Sequence, residues 1–311
     1  MTEWIVFVAG MAALIGGAEL LIRESERIAL HFGISEFVIG ATLIALGTSL
    51  PEMAASVAAS LKGQSQMAVA NVLGSNIMNI ALVLGLVFLI ASRITPDRDL
   101  FAKDSAWLLF PVIVFPLMAL DGSLSRFDGV LLMAMMGAYV LFLVQSERDG
   151  ELAEIDEEIK EEPFQWPRTV GWLLLGFVLV IGGADYAIES AAQIARGFGV
   201  SEWIVGLLLI AFGTSLPELV VSIKAARAGK ADMSIGNIVG SNMANTSVVL
   251  GSAAAVRPIP LDLAAGSFDI FLMIGVTLML VFITANRLYA KASGIILLIV
   301  LAIFLQHALA G

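Results

Sequence analysis

The sequence has no cysteine and only two histidines among its 311 residues. Without cysteine there is no disulfide framework, no thiolate metal site and no cysteine nucleophile. His31 and His307 both fall at predicted helix ends, so neither offers imidazole to a buried centre. Charge is also scarce, at 14% of residues, against 59% hydrophobic residues and a mean hydropathy of +0.94. Soluble domains carry about 25% charged residues, so this composition excludes an ordinary soluble fold and indicates an integral membrane protein. The short alternating segments of a β-barrel are absent, whereas apolar runs of about 20 residues, the length an α-helix needs to cross a bilayer, recur along the chain. No basic region precedes the first apolar run, so a cleaved signal peptide is not expected. The net charge of −10 is largely local, because nine acidic residues lie between Glu147 and Glu162. That stretch reads as a hydrated tether.

The sequence is also a tandem duplication. Gly47-Thr48-Ser49-Leu50-Pro51-Glu52 returns letter for letter as Gly213-Thr214-Ser215-Leu216-Pro217-Glu218, an offset of 166 residues. The same offset carries Asn71 onto Asn237, Gly74-Ser75-Asn76 onto Gly240-Ser241-Asn242, Asn79 onto Asn245 and Gly85 onto Gly251. Between Gly16 and Gly85, 32 of 70 positions are identical in the second copy, without a gap. The best-kept letters are polar residues in an apolar setting, which a repeat kept for packing alone does not require.

The apolar pattern predicts ten helices, over 3–31, 37–61, 67–91, 104–120, 127–145, 169–196, 203–228, 233–256, 265–284 and 289–309. The fold class is therefore an all-α integral membrane protein of ten transmembrane helices, with a first five-helix repeat over 1–145, an acidic linker over 146–168 and a second repeat over 169–311. Of the 17 Lys and Arg residues, 13 fall in alternate loops and only Lys62, Arg126, Arg196 and Arg257 on the other side. The positive-inside rule then puts both termini outside and the linker in the cytoplasm of a cell, inner or plasma, membrane. Five spans is an odd number, so the second repeat enters the membrane inverted, an architecture that places a transporter's site near the midplane between the copies.

In the second predicted helix Thr48, Glu52 and Ser56 are spaced by four and line one face. Pro51 lacks an N–H and its ring clashes with the carbonyl of Gly47, so the backbone ladder opens there. Such a break survives at membrane depth only where it is buried in protein or lines a wet cavity. The third helix adds Asn71, Ser75 and Asn79, again spaced by four, and the second copy repeats both lines. A carboxylate at the bilayer centre costs at least about 2.5 kcal/mol, so Glu52 and Glu218 read as an ion or proton site. An all-oxygen set with carboxylates suits Ca²⁺ or Na⁺, and two carboxylates balance one Ca²⁺ or two Na⁺. Asn71 and Asn237 fit packing as well as coordination; Ser56 and Ser222 read as cavity lining, and Glu19 and Asp185 as hydrated helix-end charges.

A helix with Gly-Thr-Ser-Leu-Pro-Glu followed by one with Gly-Ser-Asn-x-x-Asn, present twice, resembles the α-repeats of the sodium/calcium exchanger family, here a prokaryotic member, within the cation/Ca²⁺ exchanger superfamily. The resemblance implies a core of predicted helices 2, 3, 7 and 8, against which helices 1 and 6 slide to open the site to either side in turn. It implies as cation ligands Thr48, Ser49, Glu52, Ser75 and Asn79 with Thr214, Ser215, Glu218, Ser241 and Asn245, and the backbone oxygens of Ala45 and Ala211. The transported ions would be Ca²⁺ and Na⁺, exchanged by secondary active antiport, with no cofactor, no enzymatic activity, no nucleic acid and no obligate protein partner. Several branches of the superfamily carry an Asp where this chain has Asn79 or Asn245, which leaves the Na⁺ stoichiometry open and argues against K⁺ co-transport. A Ca²⁺/H⁺ antiporter is the alternative, since the glutamates can release protons as Ca²⁺ binds. A serine hydrolase at Ser49 or Ser215 lacks a nearby histidine and a Gly-x-Ser-x-Gly setting, and a passive channel would need a continuous path.

Overall fold

The computed structural model describes residues 2–91, 94–147, 164–200, 213–264 and 266–310. Most of the predicted linker, the first part of the predicted helix over 203–228, and Ala211 lie outside the described residues. Seven described helices are long and apolar enough to cross a membrane: α1 (Thr2–Phe32), α4 (Gln66–Ile90), α5 (Leu100–Asp121), α6 (Arg126–Ser146), α7 (Trp166–Gly197), α10 (Ser267–Ala285) and α11 (Lys291–Ala308). An eighth span is a bent pair, α2 (Glu36–Thr48) and α3 (Leu50–Leu61), whose axes differ by 45°. The remaining helices are α8 (Leu216–Arg227) and α9 (231–256), the latter built from Ala231–Ala244, a π-helical turn Asn245–Val249, and Leu250–Val256. The only strands among the described residues are β1 (Ser123–Leu124) and β2 (Ile259–Pro260), which pair antiparallel.

Most boundaries agree with the apolar pattern, but α5 begins at Leu100 rather than at 104. The Asp99 carboxylate accepts from Ala102 N at 3.0 Å, capping the helix, and Arg98 neutralises Asp104 through bonds of 2.6 and 3.1 Å. The helix can thus start one turn earlier, with the Asp104 carboxylate buried. The helix α9 is not apolar enough to pass as a span because Ser234, Asn237, Ser241, Asn242, Asn245, Thr246 and Ser247 dilute it; all seven are buried.

Apolar side chains such as Ile5, Phe110, Leu141, Val178, Phe271 and Ile299 face outward. Lipid is as apolar as they are, so helix association rests on close packing rather than on hydrophobic burial. Glycines permit it. A Cβ on Gly236 of α9 would lie 2.5 Å from the Phe37 carbonyl oxygen of α2, and a Cβ on Gly183 of α7 would lie 2.6 Å from Leu14 N of α1. The helices α1 and α7 run antiparallel, since Gly10 meets Ala187 and Gly17 meets Val180, while His31 stacks on Phe164 beside Trp166. The larger core surrounds α4 and α9, through residues such as Ile77, Ile80, Leu84, Ile238 and Leu250.

Two ends of the molecule can be distinguished. At one, Lys230 joins Glu26 and Glu36, Lys224 joins Glu19, and Asp232 accepts from Arg98 N. At the other, Ser60 donates to Ala253 O, Arg257 to Leu61 O and Arg126 to Val256 O.

Candidate cation site

The break in the second helix falls on Ser49, whose φ of −83° and ψ of 5° take it out of the helix between Thr48 and Leu50. Ser215 adopts φ −89° and ψ 0° at the equivalent position. In each copy the proline occupies the first turn of the helix that follows, where its missing N–H removes no bond. The chain resumes at once, with Met53 N bonded to Ser49 O at 3.1 Å and Leu219 N to Ser215 O at 3.0 Å.

The glutamates follow directly, and Glu52 and Glu218 are each 1% exposed. They come from different copies yet share one environment, in which each copy's hydroxyls face the other's carboxylate. Thr214 is beside Glu52, Thr48 and Ser49 are beside Glu218, and the charge of Glu218 reaches Glu52. Ser75 Oγ lies 3.4 Å from Thr214 Oγ1, a further contact between copies. Among the described residues no third Asp, Glu or His joins the two carboxylates in a cluster.

Of the ten side chains predicted as ligands, seven carry a buried atom without a hydrogen-bond partner: Ser49, Glu52, Asn79, Ser215, Glu218, Ser241 and Asn245. Both carboxylate oxygens of Glu218 are among them. A buried unpaired polar atom costs about 1–3 kcal/mol, so such a concentration is a feature that folding alone does not favour. Ala45 differs. Its carbonyl already accepts from Ser49 N at 3.0 Å and from Thr48 Oγ1 at 3.3 Å, so a cation there would have to displace the Thr48 hydroxyl.

Ser56 and Ser222 form clasps within each copy, a role the cavity-lining expectation omitted. Asn71 Nδ2 donates to Ser56 Oγ at 2.9 Å, and Asn237 Nδ2 to Ser222 Oγ at 3.0 Å. The sequence reading also passed over Asn76 and Asn242, although both stand inside the repeated Gly-Ser-Asn. These equivalent residues meet each other where α4 crosses α9, with Asn242 Nδ2 donating to the Asn76 carbonyl at 3.3 Å and Asn76 Nδ2 to Thr246 Oγ1 at 2.8 Å. Asn79 Nδ2 in turn donates to Asn242 Oδ1 at 3.1 Å. Recurrence within the motif was the signal that could have found them.

A cavity of about 320 Å³ reaches this region alongside the second half of α7, lined by Pro51, Gly213, Thr214 and Pro217 on one side and by Asp185 and Glu189 on the other. Asp185 is therefore a mouth group rather than a helix-end charge. Its equivalent Glu19 is exposed and lies 3.2 Å from Lys224. Lys230 bridges Glu26 of α1 and Glu36 of α2, the latter at 3.0 Å. Burial pulls the Lys230 ammonium down, but the hydrogen bonds and charges of Glu26 and Glu36 outweigh it and hold it above the usual lysine range.

The family model for sodium/calcium exchanger proteins matches residues 2–145 and 168–310. The chain belongs to the sodium/calcium exchanger family. Among curated relatives, it is 33% identical over 296 residues to the inner membrane protein YrbG of Escherichia coli (strain K12), covering 93% of this chain and 91% of YrbG. It is 29% identical over 345 residues to the sodium/calcium exchanger MaX1 of Methanosarcina acetivorans, covering 97% of each. Among solved structures, the sodium-calcium exchanger NCX_Mj soaked with Na⁺ and Ca²⁺ superposes with a TM-score of 0.81 at 31% identity, over 98% of both chains. This exchanger-family chain is thus a multi-pass membrane transporter rather than an enzyme, and its fold is that of NCX_Mj.

Proposed function

We propose that this chain is a secondary active antiporter that exchanges Na⁺ for Ca²⁺ by alternating access, at a site formed by Thr48, Ser49, Glu52, Ser75 and Asn79 with Thr214, Ser215, Glu218, Ser241 and Asn245. The observation that carries the proposal is the set of buried, unpaired oxygens around two adjacent glutamates. A hard cation supplies the one partner all of these acceptors lack, and −2 of charge is balanced by one Ca²⁺ or by two Na⁺. Ions that balance the same pair of carboxylates compete, and competition at one alternately exposed site is exchange.

The inverted repeat of ten spans is the frame in which this works. Equivalent helices α1 and α7 run antiparallel, equivalent residues Asn76 and Asn242 meet, and the family model matches in two stretches separated by the acidic tether. Two spans beyond the eight would be α9, too polar by composition because it carries site residues, and the helix ending in α8. The first five-helix repeat is then 1–145, the tether 146–168 and the second repeat 169–311. The clustering of Arg98, Lys224 and Lys230 at one end and of Arg126 and Arg257 at the other supports a cytoplasmic tether and external termini. The Ala45 carbonyl is a ligand only in a state where Thr48 turns away, and Ala211 is carried with it by equivalence in the repeat.

The test is ⁴⁵Ca²⁺ flux in proteoliposomes. An inward Na⁺ gradient is expected to drive Ca²⁺ uphill out of the vesicle. Transport driven by a pH gradient alone would replace this reading with Ca²⁺/H⁺ antiport.

A further inference from the structure

Near the crossing of α4 and α9 the two copies are not equivalent. A strict twofold would have Asn76 and Asn242 each donate to the other's carbonyl. Only one does. Asn242 Nδ2 donates to Asn76 O, whereas Asn76 Nδ2 turns to Thr246 Oγ1 at 2.8 Å. The cause is in the sequence, because the residue equivalent to Thr246 is Ile80, which offers no hydroxyl.

The one bond that is made orients a further amide by forced moves, and its missing counterpart orients none. A backbone carbonyl can only accept, so the Asn242 amide must present its nitrogen to Asn76 O and its oxygen away from it. That oxygen can only accept, so Asn79 must turn its nitrogen toward it, and does so at 3.1 Å. Asn79 Oδ1 is thereby left buried, unpaired and pointing away from the pair. Asn245, the equivalent of Asn79, has neither amide atom bonded and is 1% exposed. One amide is held with its acceptor presented, and the other is held by nothing.

Resting on the exchanger reading above, we infer that Asn242 is a positioning residue that fixes Asn79 Oδ1 as a cation acceptor, so that Asn79 and Asn245 contribute unequally to the site. A neutral amide helps a cation only through its oxygen; turned around, it presents two N–H donors to a positive charge. Fixing the orientation before the ion arrives removes the cost of ordering the side chain on binding.

The test is a double-mutant cycle on Ca²⁺ affinity, measured by calorimetry on the purified full-length protein. Asn242→Ala is expected to weaken Ca²⁺ binding about tenfold, to raise half-saturating Ca²⁺ in flux by the same factor, and to leave maximal flux near wild type. Asn79→Ala is expected to weaken binding similarly, and Asn242→Ala added to it to have no further effect, because Asn242 acts through Asn79. Asn76→Ala removes the bond to Thr246 but keeps the backbone carbonyl that holds Asn242, so it is expected to lower thermal stability without changing affinity. Additive losses in the cycle, or an Asn76→Ala loss of affinity equal to that of Asn242→Ala, would reduce Asn242 to a packing residue and overturn the assignment. Should Asn242→Ala fail to fold, Asn242→Leu, of similar size, enters the same cycle with the same expectations. Wild-type protein that did not bind Ca²⁺ would overturn the exchanger reading and this assignment together, whereas wild-type binding with additive losses overturns this assignment alone.

Discussion

The second half of α1 and the second half of α7 are equivalent stretches of a duplicated sequence, yet they border the site differently. Along α1, Glu19 faces Lys224 and Glu26 faces Lys230, which also holds Glu36 of α2. Along α7, the equivalents of Glu19, Arg23 and Glu26 are Asp185, Glu189 and Ala192, and the equivalents of Lys224 and Lys230 are Ala58 and Gln64. The basic partners are missing there, and the cavity opens on that side. Ion pairs thus tie α1 to Lys224 and Lys230, whereas Asp185 and Glu189 of α7 line the cavity. At the breaks themselves the copies agree, with Ser49 and Ser215 in one backbone conformation and both glutamates buried. Duplication has kept the chemistry of the site in common and let the two gates diverge.

The largest expected effect tests the common part. Glu52→Gln and Glu218→Gln keep volume and hydrogen bonding but remove one of two charges. Ca²⁺ is then half-balanced in a setting where charge pairing is far stronger than in water. Each variant is expected to lose Ca²⁺ flux by a factor of about 100 or more while still purifying as a folded, monodisperse protein. Near-wild-type flux in either one would falsify that glutamate as an essential ligand and break the equivalence of the copies.

The next effect concerns the gates. Lys230→Gln removes the cation shared by Glu26 and Glu36, and a bias of even ~1.4 kcal/mol is a tenfold change in the ratio of two states. Because the chain lacks cysteine, single thiols at the equivalent positions Ile22 and Ile188 report each face directly. In the parent protein Ile188→Cys is expected to label fast and Ile22→Cys slowly; Lys230→Gln is expected to raise the Ile22→Cys rate several-fold and to lower the Ile188→Cys rate. Unchanged rates would mean the ion pairs do not set which face is open. Against burial, Glu26 and Glu36 raise the Lys230 pKa, so the pairing is lost as pH rises through that raised value, and burial raises the Glu36 pKa, so the Glu36 half is also lost as pH falls through its own raised value.

A smaller effect is expected at the open face. Asp185→Asn and Glu189→Gln remove charge from the cavity wall, where a like-signed lining concentrates cations. Initial Ca²⁺ uptake from that face is expected to fall two- to threefold at low ionic strength and to recover toward wild type at 0.5 M of an inert salt, when the field is screened. An effect independent of salt would make these carboxylates direct ligands instead.

The motif made the two glutamates, the breaks at Ser49 and Ser215 and the flanking hydroxyls legible in the sequence, because a proline and a carboxylate inside an apolar run are costly unless they serve a buried polar site. The helices were legible wherever their polar content was low. The helix α9 was legible in the apolar pattern as a segment over 233–256, although its composition alone falls short of a span. Beyond reach were Lys230 with Glu26 and Glu36, and Asn242 with Asn76 and Asn79. Each of these depends on which residue of a distant segment arrives opposite, and an offset of 166 residues identifies equivalents without identifying neighbours. The divergence of Thr246 from Ile80 was visible in the sequence, but its meaning required the crossing geometry.

The smallest effect asks whether the asymmetry stops at the gates and at the α4/α9 crossing. Asn71 and Asn237 make the same clasp to Ser56 and Ser222, at 2.9 and 3.0 Å, so each copy is tied together by the same bond. Interhelical hydrogen bonds in membrane proteins contribute about 0.6 kcal/mol on average and at most about 1.7, because the unfolded chain also finds partners in the bilayer. Asn71→Ala and Asn237→Ala are therefore each expected to lower unfolding stability by about 1 kcal/mol, measured by thermal unfolding in detergent, with Ca²⁺ flux within twofold of wild type. One difference tilts the pair. Asn71 Nδ2 also approaches the Glu52 carbonyl at 3.4 Å, whereas Asn237 Oδ1 is buried without a partner, so removing Asn237 also relieves an unsatisfied acceptor. The Asn237→Ala loss is accordingly expected to be the smaller of the two. If instead either change abolished flux while leaving stability intact, that asparagine would belong with the cation ligands, and the boundary drawn between packing residues and site residues on α4 and α9 would have to move.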